Sequence, residues 1–569
     1  MYRATASLVA AVVLAGFVSA LPAPTQTLLD KRDTTSVVTP QGTIVGSVLL
    51  DVENFGGIPF AEAPEGSLRL KPPQRLNTSL GTFDATGIGP SCPQMFFSTE
   101  GDLLTSVLGT LLDTPLFQTV TDQKEDCLTM RVQRPAGTTS DAKLPVLFWI
   151  FGGAFELGSP QTYDASDLIL NGVSQGKPFI FAAVNYRVGG FGFLAGKEIL
   201  ADGASNLGLL DQRMGLEWVQ DNIEAFGGDP EKVTIWGESA GAISVFDQMA
   251  LYGGDNTYNG NKLFRAAIMD SGSAVPALPV NNSRSQDIYD AVVEAAGCAD
   301  AADTLDCLRS ADYETFLNAT NSVPGVLSYN SVALSYVPRP DGVVLPDSPD
   351  VLAVNGQYAA VPMIIGDQED EGTIFALFQS NITNTDELVD YIWTYFFPAI
   401  DRQYVEGLVA TYDDSITAGS PFNTGILNEV YPEFKRLAAI LGDMVFTLTR
   451  RIFLEATNAA NPGVPSWSYL ASYDYGTPIL GTFHTSDILQ VFYGVLPNYA
   501  SNATQSYYLS FLYTMDPNDG TSADYQAWPQ WNETKELLQF WDTTSNLLAD
   551  DFRSDSYDWL AAHVDLFSI

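Results

Sequence analysis

The chain has only two histidines in 569 residues, His484 and His563. No histidine cluster exists to hold a transition metal, and the residues call for no metal and no organic cofactor. Positive charge is scarce as well. Lys and Arg number 27 against 68 Asp and Glu, a net charge of −41. A surface of that sign is repelled by nucleic acid and by anionic lipid, so no nucleic-acid partner is expected. Four cysteines are too few to build a disulfide scaffold in place of a core. Hydrophobic residues make up 46% of the chain, which excludes wholesale disorder. After the N-terminus no apolar run is long and uncharged enough for a membrane helix, which takes about 20 residues. The nearest, FIFAAVNYRVGGFGFLAG, carries Asn185 and Arg187. No transmembrane anchor is expected.

The first residues, MYRATASLVAAVVLAGFVSALPAP, have an early arginine, a short apolar core and small residues at Val18-Ser19-Ala20. They read as a signal peptide over 1–20. LPAPTQTLLDKR closes on Lys31-Arg32 and reads as a pro-segment over 21–32. The mature chain is then 33–569, secreted and extracellular. A secreted chain favours disulfides. Four cysteines allow three pairings. Cys92–Cys127 and Cys298–Cys307 are expected, because each pair brackets one local loop. The sequons at Asn77, Asn281, Asn318, Asn381, Asn502 and Asn532 are candidate glycosylation sites on the same route.

Short apolar runs alternate with helical stretches. LPVLFWIFG, FIFAAVNYR, KVTIWGES, FRAAIMDSG, AVPMIIGD and SWSYLASYD read as buried strands of a largely parallel sheet. NLGLLDQRMGLEWVQDNIEAFG reads as an amphipathic helix. The alternation predicts an α/β class with helices on both faces, and a site beyond the strands' carboxyl ends. TIVGSVLLDVENFGGIPFAEAP reads as a small antiparallel flank. GFGFLA matches a relaxed dinucleotide motif, but GKEILADGASN after it reads as a loop instead of the long helix that motif needs. The motifs below run from residue 92 to residue 484 and serve one site, which points to a single catalytic domain over 33–569.

The chemistry starts at GESAG, Gly237 to Gly241. KVTIW before it reads as a strand and AISVFDQMALYG after it as a helix. A serine on such a strand-to-helix turn points its hydroxyl out of the sheet. Ser239 is therefore the candidate nucleophile. It needs a base, and only two histidines are available. His484 follows an apolar run in LGTFHTSDI, whereas His563 lies six residues from the C-terminus, where chains fray. His484 is the candidate base. An oxyanion hole needs free backbone N–H groups. Ala240, after the nucleophile, supplies one, and the glycine-rich FWIFGGAFELGSP supplies Gly153 and Ala154. A carboxylate should orient the histidine. AVPMIIGDQEDEGT offers Asp367, Glu369, Asp370 and Glu371 at a strand end, and physics does not choose among them.

GESAGA, FGGAFELGSP, EDCLTMRVQRP, NYRVGGFGFL, NLGLLDQR and FGGDPEKVTIWGESAG together resemble the type-B carboxylesterase/lipase family. The likeness is closest to fungal sterol esterases and lipases of the Candida rugosa lipase type. It covers essentially the whole mature chain and implies the α/β-hydrolase fold. It implies Glu371, before the glycine of D-E-G, as the acid, His484 of GTFH as the base, and the two local disulfides. The family usually has three glycines where this chain reads Gly152-Gly153-Ala154. If that site needs a positive φ, the alanine methyl costs stability.

Between Cys92 and Cys127, FSTEGDLLTSVLGTLLDTPLF sets Leu103, Leu104, Val107, Leu108, Leu111 and Leu112 on one helical stripe. The resemblance implies a mobile lid whose apolar face turns toward lipid. Such a patch gives an anionic protein a route to an oil–water or micelle interface, and it fits a homodimer through the lid face. The expected function is hydrolysis of long-chain fatty esters, triacylglycerols or steryl esters, through an acyl-enzyme. The alternatives are an esterase for short soluble esters and a non-catalytic adhesion module. The leucine-rich lid opposes the first, and Ser239 opposes the second.

Overall fold

Runs of β-branched and aromatic residues ended by glycine or a polar turn become strands, because a pleated surface buries them on both faces. The computed structural model describes residues 33–96, 122–492 and 497–569. The expected signal peptide and pro-segment, and the leucine stripe Leu103 to Leu112, lie outside the described residues.

The strands are β1 (Asp33–Thr39), β2 (Gly42–Leu49), β3 (Val52–Pro59), β4 (Gly81–Asp84), β5 (Thr129–Pro135), β6 (Leu144–Ile150) and β7 (Ile180–Val184). They continue with β8 (Gly228–Glu238), β9 (Thr257–Tyr258), β10 (Asn261–Lys262), β11 (Ala266–Asp270), β12 (Met363–Gln368), β13 (Ser466–Ala471), β14 (Glu536–Phe540) and β15 (Ser545–Ala549). Among the described residues the main sheet has 13 strands, in the order β1-β2-β3-β5-β7-β6-β8-β11-β12-β13-β14-β15, with β4 beside β2. From β7 to β14 every neighbouring pair is parallel. The N-terminal flank β1-β2-β3-β5-β7 is antiparallel, as its alternating, glycine-broken sequence predicts. The six apolar runs become β6, β7, β8, β11, β12 and β13. The antiparallel pair β14–β15 goes unpredicted, because β15 exposes Leu547 and has no clean alternation.

Four helices matter for the site: α1 (Leu207–Asn222), α2 (Ala240–Ala250), α3 (Phe434–Gly442) and α4 (Ser486–Val491). The helix read in NLGLLDQRMGLEWVQDN is α1. It is buried on more than one face, and Asp211 in its interior is neutralised by Arg187 at 2.7 Å. GKEILADGASN contains a short helix, Lys197–Asp202, closed by Gly203 in the left-handed region at φ 71°. A glycine past the last turn is a helix stop signal that the loop reading passed over.

The sheet's interior is aromatic near its centre. Trp236 stacks on Phe492 with ring centroids 4.7 Å apart, and Trp149 meets Trp236 edge-on at 4.5 Å. A second apolar cluster, including Phe375, Leu437, Phe446 and Leu480, lies over the ends of β12 and β13 and draws on α3. Both expected disulfides are formed. Among the described residues no helix is long and apolar enough to cross a membrane.

Candidate active site

The carboxyl ends of β6, β8, β12 and β13 carry the predicted residues. β8 ends at Glu238 and α2 begins at Ala240, so Ser239 alone makes the turn, at φ 56° and ψ −127°. A non-glycine residue held there stores about 1–3 kcal/mol of strain. The flanking glycines make the turn possible. A Cβ on Gly237 would strike the Gly241 carbonyl, and one on Gly241 would strike that of Ile150. The Ser239 N–H is tied to the Asp270 carbonyl at 2.9 Å. Asp270 in turn accepts from Trp236, Tyr469 and Tyr508.

After β6 the chain runs Gly152-Gly153-Ala154-Phe155 against this turn. A Cβ on Gly152 would meet the Ser239 Cβ at 2.9 Å. Gly153, Ala154 and Phe155 all have positive φ, at 111°, 59° and 59°. The methyl group of Ala154 is therefore strained, as the sequence suggested it would be if the site needed that conformation. Among the described residues the N–H groups of Gly153 and Ala154 donate to no protein acceptor. Both remain available to a developing negative charge.

The structure separates the four acids that the sequence left equal. Asp367, still in β12, is bound to Arg450 at 2.8 Å. Glu369 is partly buried. Asp370 accepts from Ser420, Phe422 and Thr482. Glu371 alone reaches a histidine: its Oε2 is 2.5 Å from His484 Nδ1, and its Oε1 accepts from the Gln368 N–H at 2.7 Å. His484 Nε2 is 2.8 Å from Ser239 Oγ. A carboxylate only accepts, so Nδ1 carries the proton and Nε2 is left to accept from the serine hydroxyl. The imidazole is 3% exposed and is walled by Phe375 and Phe446, at 5.1 and 4.5 Å between ring centroids. Phe446 sits in a π-helical turn, Asp443–Thr447, directly after α3.

His563 lies elsewhere. It follows the C-terminal helix Ser554–Ala562, bonds the Trp559 carbonyl and packs at a tilt against the Trp559 ring. Glu238 is a residue that the sequence reading passed over, although it lies inside the GESAG motif. Its Oε1 is 3.6 Å from His484 Nε2. Burial, then the charges of Asp487, Glu371 and Asp270, push its carboxyl well above the usual carboxylate range. Of the sequons, Asn77, Asn281, Asn318, Asn381 and Asn502 are exposed. Asn532 is half-buried, and its Oδ1 accepts from the Ser466 N–H at 3.3 Å.

A largely parallel sheet with a serine on a sharp strand-to-helix turn, and a histidine and an acid on later strand ends, defines an α/β-hydrolase. The chain belongs to the carboxylesterase family, whose model matches residues 33–558. It is 60% identical over 545 residues to a secreted triacylglycerol lipase of Gibberella zeae, spanning 95% of this chain and 92% of the relative. It is 43% identical to a lipase of Diutina rugosa over 565 residues, 98% of this chain and 100% of the relative. Among solved structures it is similar to Aspergillus niger EstA. The TM-score is 0.77 at 25% identity, covering 94% of this chain and 99% of the other.

Proposed function

We propose that the protein is a secreted lipase or sterol esterase that hydrolyses long-chain carboxylic esters through an acyl-enzyme. The observation that carries this reading is the continuous hydrogen-bonded chain Ser239–His484–Glu371. His484 Nε2 takes the proton as Ser239 Oγ attacks the acyl carbonyl carbon. The N–H groups of Gly153, Ala154 and Ala240 hold the oxyanion, and Glu371 stabilises the imidazolium. The C–O bond to the alcohol then breaks, and His484 returns the proton to the leaving oxygen. Water repeats the sequence on the acyl-serine and releases the fatty acid. No step calls for a metal or a cofactor.

The names of the relatives support a triacylglycerol substrate and secretion. The five exposed sequons fit a glycoprotein. The leucine-rich sequence between Cys92 and Cys127 supports action at a lipid interface, and a homodimer through that segment is part of the proposal. The test is parallel hydrolysis of emulsified triolein, cholesteryl oleate and p-nitrophenyl acetate, with and without an organophosphate. Organophosphate-sensitive activity that favours a long-chain ester supports the reading. Preference for the acetate replaces the lipase with a soluble-ester esterase, and no activity on any ester removes the enzymatic reading.

A further inference from the structure

His484 and Glu371 are 113 residues apart, and their hydrogen bond depends on two separate loops keeping register. One side chain joins those loops. Asp370, 2% exposed, immediately precedes the acid. Its Oδ2 accepts the Thr482 N–H at 3.0 Å, two residues before the histidine. Its Oδ1 accepts the Ser420 hydroxyl at 2.8 Å and the Phe422 N–H at 2.9 Å. The backbone repeats the connection. The Asp370 N–H donates to the Thr482 carbonyl at 2.9 Å, and Thr373 Oγ1 donates to the Leu480 carbonyl at 2.8 Å. Gly481 allows the approach, since a Cβ there would overlap the Asp370 carboxylate and its φ is +62°.

We infer that Asp370 is a positioning residue that holds the histidine loop against the acid turn, so that His484 Nδ1 stays in line with Glu371 Oε2. The site calls for a carboxylate. Three donors converge on its two oxygens, and only an acceptor-only group satisfies all three. An asparagine would turn its NH₂ toward either the Thr482 N–H or the Ser420–Phe422 pair. That edge would then lose its bond and gain a donor–donor repulsion, and the loop would shift by a fraction of an ångström. Displacements of about 1 Å at a reacting group cost up to about 10²-fold in rate. Burial, with Glu369 beside it, pushes the Asp370 carboxyl up to about 7, while Phe422, Ser420 and Thr482 pull it down. The clamp is therefore complete on the alkaline side, and the comparison belongs at pH 8.

The inference rests on the proposed ester hydrolysis for its kinetic arm but not for its spectroscopic arm. In the full chain, Asp370→Asn is expected to lower kcat on a soluble p-nitrophenyl ester by about 10- to 100-fold, with KM changed less than about twofold. The chain has only two histidines, so the downfield Nδ1–H proton resonance of His484 is easy to assign. It should broaden or move upfield in Asp370→Asn. Ser420→Ala, which removes one donor and keeps the carboxylate, should lower kcat severalfold with KM unchanged and serves if Asp370→Asn folds poorly. A variant with an unshifted Nδ1–H resonance and unchanged kcat, but a lower melting temperature, reduces Asp370 to a stabilising residue and overturns the inference. If the wild-type chain hydrolyses no ester, the functional reading fails, and the resonance alone still decides the clamp.

Discussion

Replacing Glu371 with glutamine tests the arrangement by one atom. The glutamate accepts from two fixed donors, the Gln368 N–H at 2.7 Å and His484 Nδ1 at 2.5 Å. Glutamine has one accepting oxygen. If its oxygen faces His484, its NH₂ abuts the Gln368 N–H at hydrogen-bond distance. That backbone group belongs to the last residue of β12 and cannot turn away. The amide therefore settles with its oxygen on Gln368 and its NH₂ toward the imidazole. Nδ1 must then accept, the proton moves to Nε2, and Nε2 points a hydrogen at Ser239 Oγ. The histidine is locked in the tautomer that cannot act as a base. Loss of the correct tautomer by an acid-to-amide change is worth ~10⁴-fold in kcat, about 5 kcal/mol at 1.36 kcal/mol per decade. The assay is hydrolysis of a soluble p-nitrophenyl ester, with active sites counted by a phosphonate. The native-state near-ultraviolet spectrum should be unchanged. A Glu371→Gln rate within about tenfold of wild type refutes the tautomer argument. A larger loss in Asp367→Asn or Glu369→Gln refutes the choice of acid.

Ser239→Ala and His484→Ala should each lower kcat by at least ~10⁴-fold, with the double variant little worse, whereas His563→Ala leaves steady-state kinetics unchanged. Ala154→Gly relieves the strain at φ 59° and should raise stability by about 1 kcal/mol, read as a higher urea midpoint at constant slope; a lower midpoint contradicts the strain. Burial would raise the Asp550 carboxyl, but Arg450, Arg451 and Trp531 hold it down to about 2. Its contribution of about 2 kcal/mol is therefore full above pH ~4, the unfolded value, and is lost as pH falls toward 2. The urea midpoint of the wild type should drop across that window, and Asp550→Asn should flatten the drop. Leu104→Ser with Leu108→Ser should weaken the rise in activity when long-chain substrate aggregates, while hydrolysis of a short soluble ester stays intact; equal loss on both marks a structural helix.

The parallel half of the sheet was legible because its strands are buried on both faces and so read as unbroken apolar runs. β6, for example, is buried along nearly its whole length. β15 was not, because a half-exposed edge strand has no pattern of its own and is defined by pairing with β14. The short helix Lys197–Asp202 has only six residues, too few for a periodic signal, and only Gly203 marked its end. The second apolar cluster over the strand ends was equally hidden. It gathers Val326, Phe375, Phe446 and Leu480, residues that no local periodicity connects.

The site divides along the same line. Ser239 and the glycines around it were readable because their requirement is local: a turn too sharp for a Cβ leaves its mark within five residues. His484 was readable by scarcity, since the chain has no other histidine away from its C-terminus. The acid was different. Asp367, Glu369, Asp370 and Glu371 lie within five residues, share a charge and all leave the bulk surface, so neither composition nor spacing ranks them. What distinguishes them is the partner each meets from far along the chain: Arg450 for Asp367, Ser420 and Thr482 for Asp370, His484 for Glu371. Only the family resemblance pointed to Glu371 beforehand. The structure gives the physical reason, because consecutive residues leaving a strand end point in different directions. Asp370 and Glu371 thus face different partners, and the turn that presents them lies hard against α3, since a Cβ on Gly372 would strike the Ala438 carbonyl. Gly372 is therefore the residue that lets this turn pass the helix while Glu371 meets the histidine.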